Sequence, residues 1–219
     1  MSAPNSIRDV EVGDRVRIVS GDLPEALYSE VASVRRVAWD IETNGLNPLD
    51  AQIGTCQLSA PEVGAIVVVD LAGKRPVNLS RLLSDHDVEK VFHHAPFDVS
   101  FMTHWWGVSA QKVFCTKIAA KLLNPHGPAR EHSLEHLMQA YFKLQLDKSV
   151  RMTDWLAEHL SSRQIDYAVM DVLKLLDLHE LQLSQLETQR LMGLYERCCA
   201  FLPSHVELRL HGVSDPFKY

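Results

Sequence analysis

The sequence predicts an α/β fold in which a mixed β-sheet, antiparallel over its first three strands and then extended by parallel strands, is flanked by helices. Three β-rich runs, at residues 36–41, 52–59 and 65–70, follow one another closely enough to form an antiparallel meander. From residue 79 onward, helical segments alternate with short strands, which is typical of parallel additions to a sheet. Hydrophobic residues make up 46% of the 219 residues and charged residues 23%, which indicates a folded globular chain.

Periodicity and turn-forming residues predict the other elements. Three further strands are expected, the first of them at an edge of the sheet, at residues 14–20, 90–93 and 112–114. The predicted helices cover residues 24–33, 79–84, 97–106, 116–123, 133–142 and 161–186. We expect one domain over residues 1–192, with its core at about 21–186, and a C-terminal extension at 193–219 packed on it.

Bulk properties limit the functional class. The longest apolar runs, such as residues 65–69, are too short to span a bilayer, and no secretory signal is visible, so we expect a cytoplasmic protein without a membrane partner. The four cysteines form no C-x-x-C pair and are interpreted as buried thiols. The net charge of −6 argues against a long duplex-binding surface. It does not exclude a nucleic-acid partner, because divalent ions held on carboxylates supply positive charge where a phosphate binds.

Several acidic residues lie in positions that are costly without a cation. Asp40 and Glu42 are two residues apart on an apolar strand, so both side chains project from one face, although a solvated strand end would also explain them. Asp171 lies in a helix that is apolar almost all round, with Tyr167 one turn earlier on the same face. Local pairing would explain Asp171 alone, and the helix dipole would explain Asp98 in the first turn of its helix. Neither explains why the acids occur together.

In their order along the chain, these segments resemble the three exonuclease motifs of the DEDD superfamily: Asp40-Ile-Glu42, His93-His-Ala-Pro-Phe-Asp98 and Tyr167-Ala-Val-Met-Asp171. The tyrosine four residues before the last aspartate is typical of the DEDDy branch. Other segments are similar to RNase D proteins, and most closely to nano-RNase C, a short RNase D-like enzyme: Gly21-Asp-Leu-Pro, Arg81-Leu-Leu-Ser-Asp and Val113-Phe-Cys-Thr-Lys-Ile-Ala. The resemblance covers about residues 21–186, and we expect the chain to lack the helical nucleic-acid-binding domains that follow the nuclease domain in RNase D.

The resemblance implies a ribonuclease H-like fold and a two-metal 3′-5′ exonuclease. In the roles that the resemblance implies, the first metal is held by Asp40, Glu42 and Asp171. Asp40 also bridges to the second metal, which Asp98 supports largely through water. Hard oxygen ligands suit Mg²⁺ or Mn²⁺, with the ions roughly 4 Å apart. Tyr167 would orient the attacking water, because its ordinary pKa near 10 makes it a poor base at neutral pH.

The resemblance also implies contacts with the substrate. Leu46, in the turn that begins at Thr43, is predicted to wedge against the terminal base, and a turn residue tucked into the core is the equal alternative. Thr43 is also predicted to bind the substrate. His93 matches a family histidine beside the substrate, and a satisfied strand-end histidine is the equal alternative.

Two other patterns are weaker. His132-Ser-Leu-Glu135-His136 matches the inverted zinc-protease motif, but short motifs often match by chance. A set of basic residues could contact phosphate or could form a solvated face: Lys112, Lys117, Lys121, Arg130, Lys148, Arg151 and Arg163.

The sequence therefore predicts a metal-dependent exoribonuclease that releases nucleoside 5′-monophosphates from short RNA or dinucleotides. A 3′-5′ exonuclease on single-stranded DNA is the nearest alternative, since no motif residue reads the 2′-hydroxyl. A nuclease-fold binding module without catalysis is the other. Nano-RNase C-like proteins assemble into rings, so the resemblance also implies a homo-oligomer.

Overall fold

The computed structural model describes residues 7–9, 15–146, 148–213 and 215–218. The strands are β1 (Ile7–Asp9), β2 (Arg15–Ser20), β3 (Arg36–Thr43), β4 (Ile53–Ala60), β5 (Gly64–Val69), β6 (Glu89–Phe92) and β7 (Val113–Cys115). They form one mixed sheet in the order β1-β2-β5-β4-β3-β6-β7.

The centre of the sheet has the predicted arrangement. β3 pairs antiparallel with β4, and β4 pairs antiparallel with β5, which confirms the meander. β6 and β7 then extend the sheet in parallel from β3. The prediction of an edge strand at residues 14–20 is wrong, because β2 lies between β5 and the three-residue β1. β1 is too short to show a period in the sequence.

The helices are α1 (Glu25–Ser33), α2 (Val77–Ser84), α3 (Ala95–Trp106), α4 (Thr116–Leu123), α5 (Leu134–Phe142), α6 (Ser162–Leu173), α7 (Leu175–Thr188), α8 (Met192–Ala200) and α9 (Leu202–Leu210). Short 3-10 helices occur at Ala129–His132 and Lys148–Val150. Among the helices described, none is long and apolar enough to cross a membrane.

The single helix predicted over residues 161–186 is wrong, because the chain bends at Lys174, where φ is −110° and ψ is 10°. α6 packs across β3, β4 and β5, whereas α7 packs on α4 and β6. One straight helix could not follow both of these packing sites on a twisted sheet. Tertiary packing therefore overrides a helical pattern that contains no glycine or proline.

The C-terminal helices contribute to the main hydrophobic core. Tyr195, Cys199, Leu202 and Val206 are buried in the cluster that also contains Trp39. The division into a domain over residues 1–192 and a packed extension over residues 193–219 stays a prediction. All four cysteines are free thiols, three of them buried and Cys198 half-buried.

Candidate active site

Asp40 and Glu42 project from one face of β3, as their spacing predicts. The register with β4 places Gln57 directly opposite Asp40 and Thr55 directly opposite Glu42. Both carboxylates are half-buried. The pairing is irregular immediately after Glu42, where the chain leaves the sheet.

Asp171 reaches the same face from α6. This helix begins with a capping box, in which the Ser161 side chain accepts from the Gln164 backbone and the Gln164 side chain accepts from the Ser161 backbone. Because α6 lies across β3 and β4, Asp171 is directed into the interior and is only 6% exposed. One carboxylate oxygen from each of Asp40, Glu42 and Asp171 lies within 4.8 Å of the other two.

Asp98 joins the cluster from the first turn of α3. Its Oδ1 accepts a hydrogen bond of 3.3 Å from the backbone N–H of Ile41, the residue between Asp40 and Glu42. The side chain is 2% exposed. The four acids predicted from the sequence are therefore adjacent, although Asp98 lies outside the group of three potential ligands.

Burial is the main electrostatic feature of this cluster. It raises the pKa of Asp40, Glu42, Asp98 and Asp171 above their ordinary values, and the charges of neighbouring carboxylates raise the pKa of Glu42, Asp98 and Asp171 further. The positive charge of Arg151 opposes these effects by lowering the pKa of Asp40, Glu42 and Asp171. Buried like charges at this spacing are stabilised by a cation.

Tyr167 lies beside Asp171. Burial is the largest cause of a pKa well above the usual tyrosine value, followed by the charge of Asp171, so the hydroxyl stays protonated at neutral pH. The ring centroid lies 6.0 Å from that of Trp155, which is 1% exposed. Trp155 fits closely against β4, since a Cβ added at Gly54 would lie 2.2 Å from the Trp155 carbonyl oxygen.

The three predicted substrate-binding residues have different environments. Leu46 is 76% exposed, so the alternative that it is tucked into the core is wrong. The Thr43 hydroxyl donates to the Gly45 carbonyl at 2.6 Å and fixes the start of this turn. His93 is half-buried and forms a hydrogen bond of 2.9 Å between its Nδ1 and the Thr116 hydroxyl. Their contacts with a substrate stay predictions.

A basic cavity of about 420 Å³ lies next to the turn that carries Asp98. It is lined by His94, Lys117, Lys121, His205 and Arg209, together with less polar residues. Only the two lysines belong to the basic set singled out in the sequence. His205 and Arg209 were missed because their position depends on the packing of α9 against α3.

The zinc motif does not form a zinc site. His132 is buried, and its Nε2 lies 2.8 Å from the carbonyl oxygen of Asn124, whereas His136 is exposed. Within the described part of the chain, the one group of three clustered metal-ligating side chains is the acidic one.

Comparisons with known proteins identify the family of this chain. Residues 17–187 match the family model described as 3′-5′ exonuclease. Ribonuclease D of Zymomonas mobilis is 35% identical over 162 residues, which cover 74% of this chain and 41% of that protein. The chain therefore spans about two fifths of the length of this curated relative.

Solved structures give longer matches. Brucella melitensis NrnC bound to pGG superimposes with a TM-score of 0.85 and 35% identity, covering 93% of this chain and 98% of that one. The same protein with bound Mg²⁺ gives a TM-score of 0.84 and 34% identity, with the same coverage. Escherichia coli RNase D, at 24% identity and a TM-score of 0.73, shares the fold, with 86% of this chain and 50% of that one covered. These matches confirm the ribonuclease H-like fold expected from the motifs.

Proposed function

Because the chain belongs to the 3′-5′ exonuclease family, we propose that it is an exoribonuclease that removes nucleoside 5′-monophosphates from the 3′ ends of short RNA. The convergence of three carboxylates from β3 and α6, two of them half-buried and that of Asp171 buried, within 4.8 Å of one another, carries this proposal. Their ordered combination with Asp98 and Tyr167 is the arrangement on which the family's chemistry depends.

The donor set fits a divalent metal. Its atoms are hard carboxylate oxygens, which Mg²⁺ and Mn²⁺ prefer. Burial and mutual repulsion raise the pKa of these groups, so that a cation would relieve an existing electrostatic cost. The proposed ligands are Asp40, Glu42, Asp98 and Asp171. Two ions held there would supply positive charge that activates the attacking water and stabilises the departing 3′ oxygen.

The protein's own side chains orient the substrate. Tyr167 keeps its proton and can donate a hydrogen bond to the attacking water or to the phosphate. Leu46 offers an exposed apolar side chain to the terminal base. The basic cavity lined by Lys117, Lys121 and Arg209 accepts a phosphate group of the RNA.

A short RNA is the favoured substrate. Brucella melitensis NrnC, which this chain matches over nearly its whole length, has been solved bound to pGG. By analogy, we propose that dinucleotides and other short oligonucleotides are the substrates here. A homo-oligomer and a cytoplasmic location complete the proposal, the second supported by four free thiols.

The test compares a 5′-labelled RNA dinucleotide, a longer RNA and a single-stranded DNA, each with Mn²⁺ and with chelator. Asp171→Asn is the inactive variant, and Asp166→Asn, on the exposed side of the same helix, removes the same charge as a matched control. We expect stepwise shortening from the 3′ end that requires metal, survives in Asp166→Asn and is lost in Asp171→Asn.

The outcomes separate the alternatives. Shortening that persists in chelator or in Asp171→Asn would contradict the metal-dependent mechanism. Equal digestion of DNA would replace the RNA assignment by the DNA alternative. Binding without cleavage in the presence of Mn²⁺ would indicate a binding module. Light scattering that shows a fully active monomer would remove the homo-oligomer.

A further inference from the structure

Strand β4 carries three polar side chains where an apolar strand would be expected: Thr55, Gln57 and Ser59. All eight residues of Ile53–Ala60 are buried, and the polar residues Thr55 and Gln57 are only 1% and 0% exposed. Buried polar groups cost free energy unless they are hydrogen-bonded. Because Thr55 and Gln57 are two positions apart, they lie on one face of the sheet. The pairing of β4 with β3 places Gln57 beside Asp40 and Thr55 beside Glu42.

These side chains form a short chain of hydrogen bonds that ends on Asp40. The Nε2 of Gln57 donates to Asp40 Oδ2 at 2.6 Å, and the Thr55 hydroxyl donates to Gln57 Oε1 at 3.2 Å. The reversed amide would bring Oε1 against a carboxylate oxygen and repel it. The two bonds therefore agree on one amide orientation.

We propose that Gln57, oriented by Thr55, is a positioning residue that holds the Asp40 carboxylate for divalent metal binding. The inference rests on the proposed function, because it requires a metal at Asp40. A buried, fully packed amide restricts the rotation of the carboxylate and so lowers the entropy lost when an ion binds.

The neutrality of Gln57 is part of the proposal. A lysine or arginine at this position would neutralise Asp40 and reduce its attraction for the ion. The Gln57 amide donates one hydrogen bond to a lone pair of Asp40 Oδ2 and leaves the negative charge of the carboxylate in place. The remaining lone pairs of Asp40 stay available for coordination.

The experiment measures Mn²⁺ binding to the metal-free protein by titration calorimetry, so that it does not depend on activity. Gln57→Met keeps the volume and removes both hydrogen bonds. We expect its Mn²⁺ affinity to fall by about 10- to 100-fold. The exonuclease activity lost at low Mn²⁺ should return at high Mn²⁺, with KM for RNA at saturating metal unchanged.

Two further comparisons separate positioning from packing. Thr55→Val removes the hydroxyl and should weaken Mn²⁺ binding less than Gln57→Met does, whereas Thr55→Ser keeps the hydroxyl and should bind as the wild type. Leu58→Met, on the opposite face of β4, changes the core to a similar degree and should leave Mn²⁺ affinity unchanged. If Gln57→Met does not fold, the comparison of Mn²⁺ affinity between Thr55→Val and Thr55→Ser provides the test.

Failure of this inference is distinguishable from failure of the proposed function. Wild-type protein that binds no Mn²⁺ would overturn the proposed function. Wild-type binding together with equal affinity in Gln57→Met, or in Thr55→Val when Gln57→Met does not fold, would overturn the positioning role alone. Equal weakening in Leu58→Met would reduce the effect to general packing and would also overturn it.

Discussion

Asp171→Asn should make the metal-free protein more stable while it abolishes activity. The carboxylate oxygens of Asp40, Glu42 and Asp171 lie within 4.8 Å of one another. At this separation, each ionised pair repels by about 3 kcal/mol for an effective dielectric constant of about 20. Asp171→Asn removes two such pairs.

The net gain is smaller than the sum of the two pairs. Protonation of one carboxyl group, favoured by the raised pKa values, already relieves part of the repulsion in the wild type. We therefore expect the free energy of unfolding to rise by about 2 kcal/mol at pH 8 in chelator. For a chain of 219 residues this corresponds to an increase in Tm of about 4–8 °C.

Saturating Mn²⁺ should reverse the order of the two Tm values. An ion that binds only the folded state stabilises the wild type by about 2.7 kcal/mol at 100 times its Kd, whereas the variant has lost a ligand. Thermal unfolding of wild type, Asp171→Asn and Asp166→Asn, each with chelator and with Mn²⁺, measures this reversal. A lower Tm for Asp171→Asn in chelator, or equal stabilisation of all three proteins by Mn²⁺, would refute the reasoning.

Three other changes have defined outcomes. Tyr167→Phe should lower kcat by about 100-fold through loss of an orienting hydrogen bond, with KM unchanged in steady-state assays; an equal loss of RNA binding would contradict this. Leu46→Ala should raise KM about tenfold by removing apolar contact with the base while Tm is constant, because Leu46 is 76% exposed; an unchanged KM would exclude the wedge. Burial, followed by the charge of Arg36, lowers the pKa of His179 in the folded protein to about 3. The ordinary histidine pKa is about 6.5. Between these two pH values the imidazole is therefore protonated in the unfolded state but not in the folded state. The free energy of unfolding should therefore fall as the pH is lowered from about 6.5 to 3, with a loss of about 2 kcal/mol at pH 5. Denaturant unfolding at pH 7 and pH 5 should show that His179→Gln lacks this loss. An equal loss of unfolding free energy in wild type and variant would refute the assignment to His179.

Much of the fold could be predicted because local patterns and tertiary structure agree. The strand alternation around Asp40 and Glu42 places both carboxylates on one face, as observed. The apolar helix around Asp171 predicts its burial, also as observed. In both places the period of the element alone determines the direction of the side chain.

The features that could not be predicted depend on partners distant in the chain. Gln57 lies in a strand whose sequence reads as buried, and its role follows only from the register that places it opposite Asp40. Arg209 reaches the basic cavity because α9 packs on α3. The bend at Lys174 has no local signal, since it results from the two surfaces that α6 and α7 cover.

The basic cavity gives the molecule a local charge opposite to that of the whole chain, whose net charge is −6. At physiological ionic strength, electrostatic interactions in solvent decay over about 8 Å. An RNA of one or two phosphates can be held within this range of the lysines and Arg209. The additional phosphates of a longer RNA would extend beyond this range and would meet a chain whose net charge is negative. Under the proposed function, this charge distribution favours short RNA over long RNA, and raising the ionic strength should narrow the difference in binding between the two.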